Sequence, residues 1–198
     1  MLDRSVPYYP VIMTLPAGDR PQPEVLLDQA EKLLPEGYRL VRWQPGMEQA
    51  WCTIEKEAGE FPTVEEAMTR FQWEFLPEPA LLRERMWFAI SPEGTAVGTA
   101  TLWTGGYLGG MLPRLHWVAV QPGHRRRGLA RSLVLAALSC AKADELVFLT
   151  SQTWSWPAVR LYRQLGFQPW LSCPAGWEDN WNPKEAWRII SQKAGFTR

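Results

Sequence analysis

At 198 residues, with 46% apolar and 21% charged side chains, the chain has the composition of one globular domain able to bury a substantial core. Its 21 acidic and 21 basic residues cancel, which excludes a broad basic face for nucleic acid and makes any arginine cluster a local feature. No uninterrupted apolar run approaches the ~18 residues of a membrane span, so no membrane partner is expected. Cys52, Cys140 and Cys173 are odd in number, far apart and without Cys-x-x-Cys spacing. They predict free thiols in a reducing compartment, with neither a disulfide framework nor a metal site. The opening Met-Leu-Asp-Arg-Ser-Val-Pro lacks the basic-then-apolar order of a signal peptide. The expected location is the cytoplasm.

In chain order, residues 1–36 read as an N-terminal extension. A strand is expected at 8–15, with Pro10 confined to an edge or a start. A linker-like stretch follows at 19–23, then a helix at 25–34. Alternation at 38–43 predicts the first strand of the main domain, residues 37–198, and Pro45-Gly46 turns into a helix at 47–58. Thr63 followed by Glu66 fits a capping box opening a helix to about Phe75. A further turn or two is expected at 81–86, then strands at 87–91, 96–104 and 115–120. The stripe Leu129, Leu133, Ala137, Leu138 and Ala141 predicts one buried helix face. A buried strand at 147–150 precedes a helix at 157–165, closed by Gly166. The chain then becomes irregular and rich in tryptophan until a last strand at 186–191. The order is that of a mixed α/β domain.

The chemistry concentrates at 115–130, Leu-His-Trp-Val-Ala-Val-Gln-Pro-Gly-His-Arg-Arg-Arg-Gly-Leu-Ala. A strand, a tight basic turn and a helix start make an anion site, because the first N–H groups of a helix lack intrahelical partners and the dipole favours negative charge there. A phosphate-bearing ligand is the first expectation. No Gly-x-x-x-x-Gly-Lys-Ser/Thr or Gly-x-Gly-x-x-Gly occurs, which disfavours a nucleotide-hydrolysing loop and a dinucleotide fold.

Arg125-Arg-Arg-Gly-Leu-Ala resembles the Arg/Gln-x-x-Gly-x-Gly/Ala signature of the GNAT N-acyltransferases, and Ala158-Val-Arg-Leu-Tyr-Arg-Gln-Leu-Gly-Phe resembles that family's second landmark. Both occur in order, with a helix and a buried strand between them. The resemblance covers about residues 37–191 and implies the GNAT fold, a central mixed β-sheet flanked by helices, with acetyl-CoA as cosubstrate and no metal. It implies that Arg125, Arg126, Arg127, Gly128, Leu129 and Ala130 hold the pyrophosphate. Val118, Ala119 and Val120 then position the thioester arm in a gap beside the next strand. Ser155 stands where the family often has an asparagine that bonds the pantetheine. Tyr162 is expected to protonate the departing thiolate.

The base is where the chain departs from the pattern. Many members carry a glutamate where this chain has Arg114, whereas serotonin-type N-acetyltransferases place a histidine at the position of His116. An imidazole with an ordinary pKa near 6.5 suits the accepting role; a strand histidine bonded to a neighbour is the alternative. The acceptor is expected to be a primary amine of a small molecule or peptide, with no nucleic-acid partner. Trp170, Trp177, Trp181 and Trp187 suit either an aromatic lid or a homodimer interface. An inactive acyl-CoA-binding module of the same fold is the competing function.

Overall fold

The computed structural model describes residues 2–18, 20–106 and 108–196. Asp19, where the linker-like stretch begins, lies outside the described residues. The elements run β1 (Pro10–Leu15), α1 (Pro23–Lys32), β2 (Arg39–Arg42), α2 (Glu48–Ala58), α3 (Val64–Glu74), α4 (Pro79–Arg85), β3 (Met86–Ile90), β4 (Ala96–Gly105) and β5 (Leu112–Val120). They continue through α5 (Leu129–Leu138), β6 (Val147–Gln152), α6 (Trp156–Gln164), β7 (Gln168–Trp170) and α7 (Pro183–Ala194). The strands hydrogen-bond in the order β2-β3-β4-β5-β6-β1-β7. Parallel and antiparallel pairs both occur, so the expected mixed sheet with helices is observed.

The chain divides into two units. The larger comprises residues 21–103 and 115–142. Here β3 runs antiparallel to β2, from Arg39↔Ile90 to Arg42↔Trp87, and antiparallel to β4, with an irregularity at Ala89/Ile90. Helix α5 is apolar around most of its circumference, with Leu129 and every residue from Ser132 to Leu138 buried, as a helix enclosed by its unit must be. It comes so close to the sheet that a Cβ on Gly98 would stand 2.9 Å from Leu133 Cδ1 and 3.1 Å from the Ala119 carbonyl. A larger residue at 98 would have to push Leu133 or the Ala119 carbonyl aside.

Helices α2 and α3 bury an aromatic cluster of Trp51, Phe71 and Phe75, with Trp43, Phe88 and Trp103 in the same core. Trp51 meets Phe71 and Phe75 edge-on, with ring centroids 5.2 and 5.7 Å apart. Burying each such ring contributes about 1.5–3 kcal/mol before any ring–ring preference. Thr63 caps α3 as expected, its hydroxyl oxygen accepting from the Glu66 N–H at 3.2 Å.

The smaller unit comprises residues 1–20, 104–114 and 143–198, so the stretch 1–36 divides between the two units. Strand β1 begins at Pro10, where the missing N–H costs least, and pairs antiparallel with β6 from Pro10↔Gln152 to Leu15↔Val147. Its other side pairs with β7 through Ile12↔Trp170, Met13↔Pro169 and Thr14↔Gln168. The start of β5 pairs parallel with β6 at Arg114↔Phe148, and the Arg114 guanidinium donates to Thr150 Oγ1 at 2.6 Å.

One expectation is overturned: 186–191 is not a strand but part of α7. Its buried residues are Ala186, Ile189, Ile190 and Ala194, spaced three, four and eight from the first, which is one helix face. Asn182 caps it by accepting from the Glu185 N–H, Pro183 occupies the first turn, and Arg188 reaches Glu185 at 2.7 Å. A short apolar run had outweighed these start signals. The three-residue strand β7 was also unanticipated.

Glu55, on α2, is buried to 1% exposure among the aromatic residues. Neither carboxyl oxygen has a hydrogen-bond partner among the described residues. Burial, with the charge of Glu60 adding to it, holds this carboxyl well above its ordinary range. Above the unfolded carboxyl's pKa of about 4.3 the unfolded chain has lost a proton that the folded chain keeps, so stability falls as pH rises. Glu55→Gln is expected to raise the unfolding free energy near neutral pH by about 2 kcal/mol and to flatten its decline above about pH 5. Urea unfolding across pH checks this; an equal slope in both proteins removes the buried carboxyl as its cause.

Candidate active site

Strand β5 ends as the Gln121 N–H bonds the Val97 carbonyl at 2.8 Å, and Pro122–His124 makes a single 3-10 turn. Two left-handed residues follow, Arg126 at φ 63° and Gly128 at φ 88°. Such reversals turn successive backbone N–H groups into one concavity. Helix α5 then starts at Leu129, and the Gly128 carbonyl takes the N–H groups of Arg131 and Ser132 at 2.9 and 3.2 Å. Intrahelical bonding therefore begins beyond Ala130, which leaves the first-turn N–H groups of Leu129 and Ala130, next to those of the turn at 126–128, as donors that suit an anion. A Cβ on Gly128 would meet only the Leu33 carbonyl, at 3.6 Å. Its backbone angle, not a crowding neighbour, is what requires glycine.

The side chains of this turn are used mostly to hold it. Arg125 Nε donates to the Val120 carbonyl at 2.8 Å, tying the turn back to the strand it leaves. His124 Nδ1 lies 2.8 Å from the Tyr38 hydroxyl, which also accepts from Arg127 at 3.4 Å. A hydrogen bond from Ser91 keeps the Glu93 carboxyl below its ordinary range, and the charges of His124 and Arg127 add to that. Arg126 is exposed. The backbone N–H groups, more than the arginine side chains, are what this turn leaves open.

On β5, Val118 is half-buried, while Ala119 and Val120 are buried. His116 Nε2 lies 2.7 Å from Glu74 Oε1, with both side chains 12% exposed. The indole Nε1–H of Trp117 donates to the other carboxyl oxygen, Glu74 Oε2, at 3.0 Å. Adjacent residues of a regular strand point to opposite faces. Here the His116 and Trp117 rings are 4.7 Å apart and grip one carboxylate, because Trp117 adopts φ 50°. A left-handed tryptophan costs about 1–2 kcal/mol, an outlay that the surroundings must over-determine. They do: the indole packs on Trp51 at 5.5 Å and on Phe61 at 5.2 Å. Glu74 was missed in the sequence because it sits 42 positions from His116. Its one signal was an acid closing a helix whose last turn holds no base.

Ser155 and Tyr162 belong to the smaller unit. Ser155 is half-buried and immediately precedes α6. Tyr162 is 7% exposed on α6, its ring edge-on to Phe167 at 5.9 Å. The tryptophans beside Ser155 serve as anchors. Trp154 Nε1–H donates to the Val6 carbonyl at 2.9 Å and Trp156 Nε1–H to Asp3 Oδ2 at 3.0 Å. Trp177 and Trp181 meet edge-on at 5.8 Å, and Trp181 donates to the Leu171 carbonyl.

Among the described residues no group of His, Cys, Asp and Glu is placed to hold a metal ion. The three cysteines are free thiols, and no described helix is long and apolar enough to cross a membrane.

The chain is 34% identical over 148 residues to a mycothiol acetyltransferase of Thermobispora bispora, covering 69% of this chain and 48% of that protein. It is 28% identical over 164 residues to a mycothiol acetyltransferase of Pseudarthrobacter chlorophenolicus, covering 72% and 46%. It thus spans about half the length of these relatives. The solved GCN5-related N-acetyltransferase of Sphaerobacter thermophilus superposes with a TM-score of 0.60 at 26% identity, over 82% of this chain and 49% of that one. Residues 48–167 match the model of the Acetyltransferase (GNAT) family, spanning α2, the Glu74–His116 pair, the anion-binding turn and Tyr162, and the chain belongs to that family.

Proposed function

We propose that the chain moves an acetyl group from acetyl-CoA to a primary amine of a small molecule or peptide by direct attack. The observation that carries this reading is the backbone cradle at Arg126 and Gly128 opening onto α5, which fits a pyrophosphate without a metal. Acetyl-CoA, when bound, supplies a thioester carbonyl open to an amine nitrogen. In this reading the N–H groups of 126–130 hold the diphosphate, the β5 backbone at 118–120 orients the arm, and the Ser155 hydroxyl bonds its amide, while the Arg125 N–H stays on the Pro122 carbonyl. His116 accepts the proton that the acceptor nitrogen loses as its new C–N bond forms. Tyr162 gives its phenolic proton to the sulfur as the C–S bond breaks, a role resting on its place in the landmark motif.

The acceptor is an unidentified amine. The names of the two relatives make a mycothiol-type amine a member of the panel to test, beside tryptamine, spermidine and glucosamine. Thiol release from acetyl-CoA with that panel tests the reading directly. Acetyl-CoA binding without turnover of any amine assigns the chain to the inactive binding module.

Gly128→Ala is expected to weaken acetyl-CoA binding at least about tenfold in calorimetry, since an L side chain resists the φ that shapes the cradle. Wild-type affinity would take the diphosphate away from this turn. Tyr162→Phe is expected to lower kcat about a hundredfold with the acetyl-CoA dissociation constant unchanged, and undiminished turnover removes its acid role. His116→Ala is expected to abolish the rise of kcat/KM with pH that a titrating base produces; a preserved profile moves the base elsewhere.

A further inference from the structure

We propose that Glu74 is a positioning residue for His116, holding the neutral imidazole with its hydrogen on Nε2 so that Nδ1 is the nitrogen that accepts the acceptor's proton. The inference rests on His116 being the base of the acetyl transfer proposed above. An ionised carboxylate only accepts hydrogen bonds. With Glu74 ionised, the hydrogen in the 2.7 Å contact between His116 Nε2 and Glu74 Oε1 belongs to the ring. The second oxygen, Oε2, accepts from the indole of Trp117, which can only donate. The carboxylate is thus fixed through both oxygens, and its ring-facing oxygen fixes the tautomer.

The position of Glu74 makes this arrangement informative. It is the last residue of α3, where the helix dipole disfavours negative charge, and no basic side chain stands in that last turn. It is also 88% removed from solvent, since its side chain is 12% exposed. A carboxylate so placed is best balanced by a cation, and His116 becomes one when it takes a proton. The charge balance closes without a proton on Glu74. The acceptor nitrogen gives its proton to Nδ1, the ring becomes imidazolium, the Nε2–H···Oε1 bond stays in place, and solvent later takes the Nδ1 proton. Trp117 completes the device, since its left-handed backbone brings its indole to the face used by the ring.

Glu74, from α3, is a titratable group set against the ring. The neighbouring Trp117, with Trp51 and Phe61 packed on it, does not titrate in this range, and burial keeps the proton on Glu55 of α2 above the ordinary carboxylate range.

The chain has 2 histidines, so imidazole ¹⁵N–¹H spectra distinguish them, and His124→Gln assigns the other signal. Neutral His116 in the wild type is expected as the Nε2–H tautomer, and a predominant Nδ1–H tautomer overturns the proposal without any variant. In Glu74→Gln its titration midpoint is expected to fall by about one unit or more, because a carboxylate favours the charged ring. An unmoved midpoint in a folded variant overturns the proposal. Trp117→Phe, which keeps the carboxylate and frees Oε2, is expected to lower it less. For a panel amine that turns over, Glu74→Gln is expected to lower kcat at least about tenfold with the KM for acetyl-CoA unchanged, while Glu74→Asp recovers part of it. Undiminished kcat overturns the proposal. Failure of every amine in the panel counts against acetyl transfer, and the spectra then still decide whether Glu74 sets the tautomer.

Discussion

A carboxylate shared by two consecutive strand residues is the constraint on which this stretch of β5 depends. Glu74 receives His116 on one oxygen and Trp117 on the other, which a regular pleat forbids, and the left-handed turn of the backbone at Trp117 removes the obstacle. The tryptophan stays in that conformation because Trp51 and Phe61 close on its indole from α2 and the segment before α3. The aromatic richness of α2 and α3 is therefore more than core filling. It fixes the backbone geometry that brings His116 and Glu74 together, and strained residues persist only where packing over-determines them.

Downstream of the same strand the chain solves a different problem by different means. The backbone turn at Arg126 and Gly128 is shaped by two left-handed residues and a helix start. The arginines mostly stabilise the turn. Arg125 ties it to Val120, and Arg127 joins His124 at the Tyr38 hydroxyl. Zero net charge and the proposed diphosphate site are compatible for this reason: the donors would be peptide N–H groups, and the attraction the dipole of a helix end.

This difference in range explains what the sequence could and could not reveal. The cradle was legible because every part of it lies within 115–130, where strand, Pro-Gly turn, Gly128 and helix stripe follow one another. His116 lies in the same stretch, nine residues before Arg125. Glu74 was invisible because its meaning depends on α3 ending beside β5, and acidic residues on a helix normally face solvent. Most element bounds were readable for the local reasons that cap and periodicity supply, as at Thr63 and Gly166. The misreading of 186–191 shows the limit of that approach. Ala-Trp-Arg-Ile-Ile-Ser is too short for period two and period 3.6 to be told apart, and only the Asn182-Pro183 start and the full spacing to Ala194 decide for a helix.

The tryptophans at 154 and 156 make the same point for the smaller unit. They flank Ser155, and their indole N–H groups are taken by the Val6 carbonyl and the Asp3 carboxylate. Asp3 is drawn well below the ordinary carboxylate range by hydrogen bonds from Ser5, then Trp156 and Lys193. The Thr153 hydroxyl donates to the Pro7 carbonyl and accepts from the Tyr9 N–H. The turn that launches α6, and with it Tyr162, is thereby fastened to residues 3–9, outside the span of the family match. Since the N–H of a buried or half-buried indole demands an acceptor, the segment at the chain's start supplies what the turn cannot find within itself. The orientation of the helix bearing the landmark tyrosine is accordingly set by two distant parts of the sequence, of which the motif contains one.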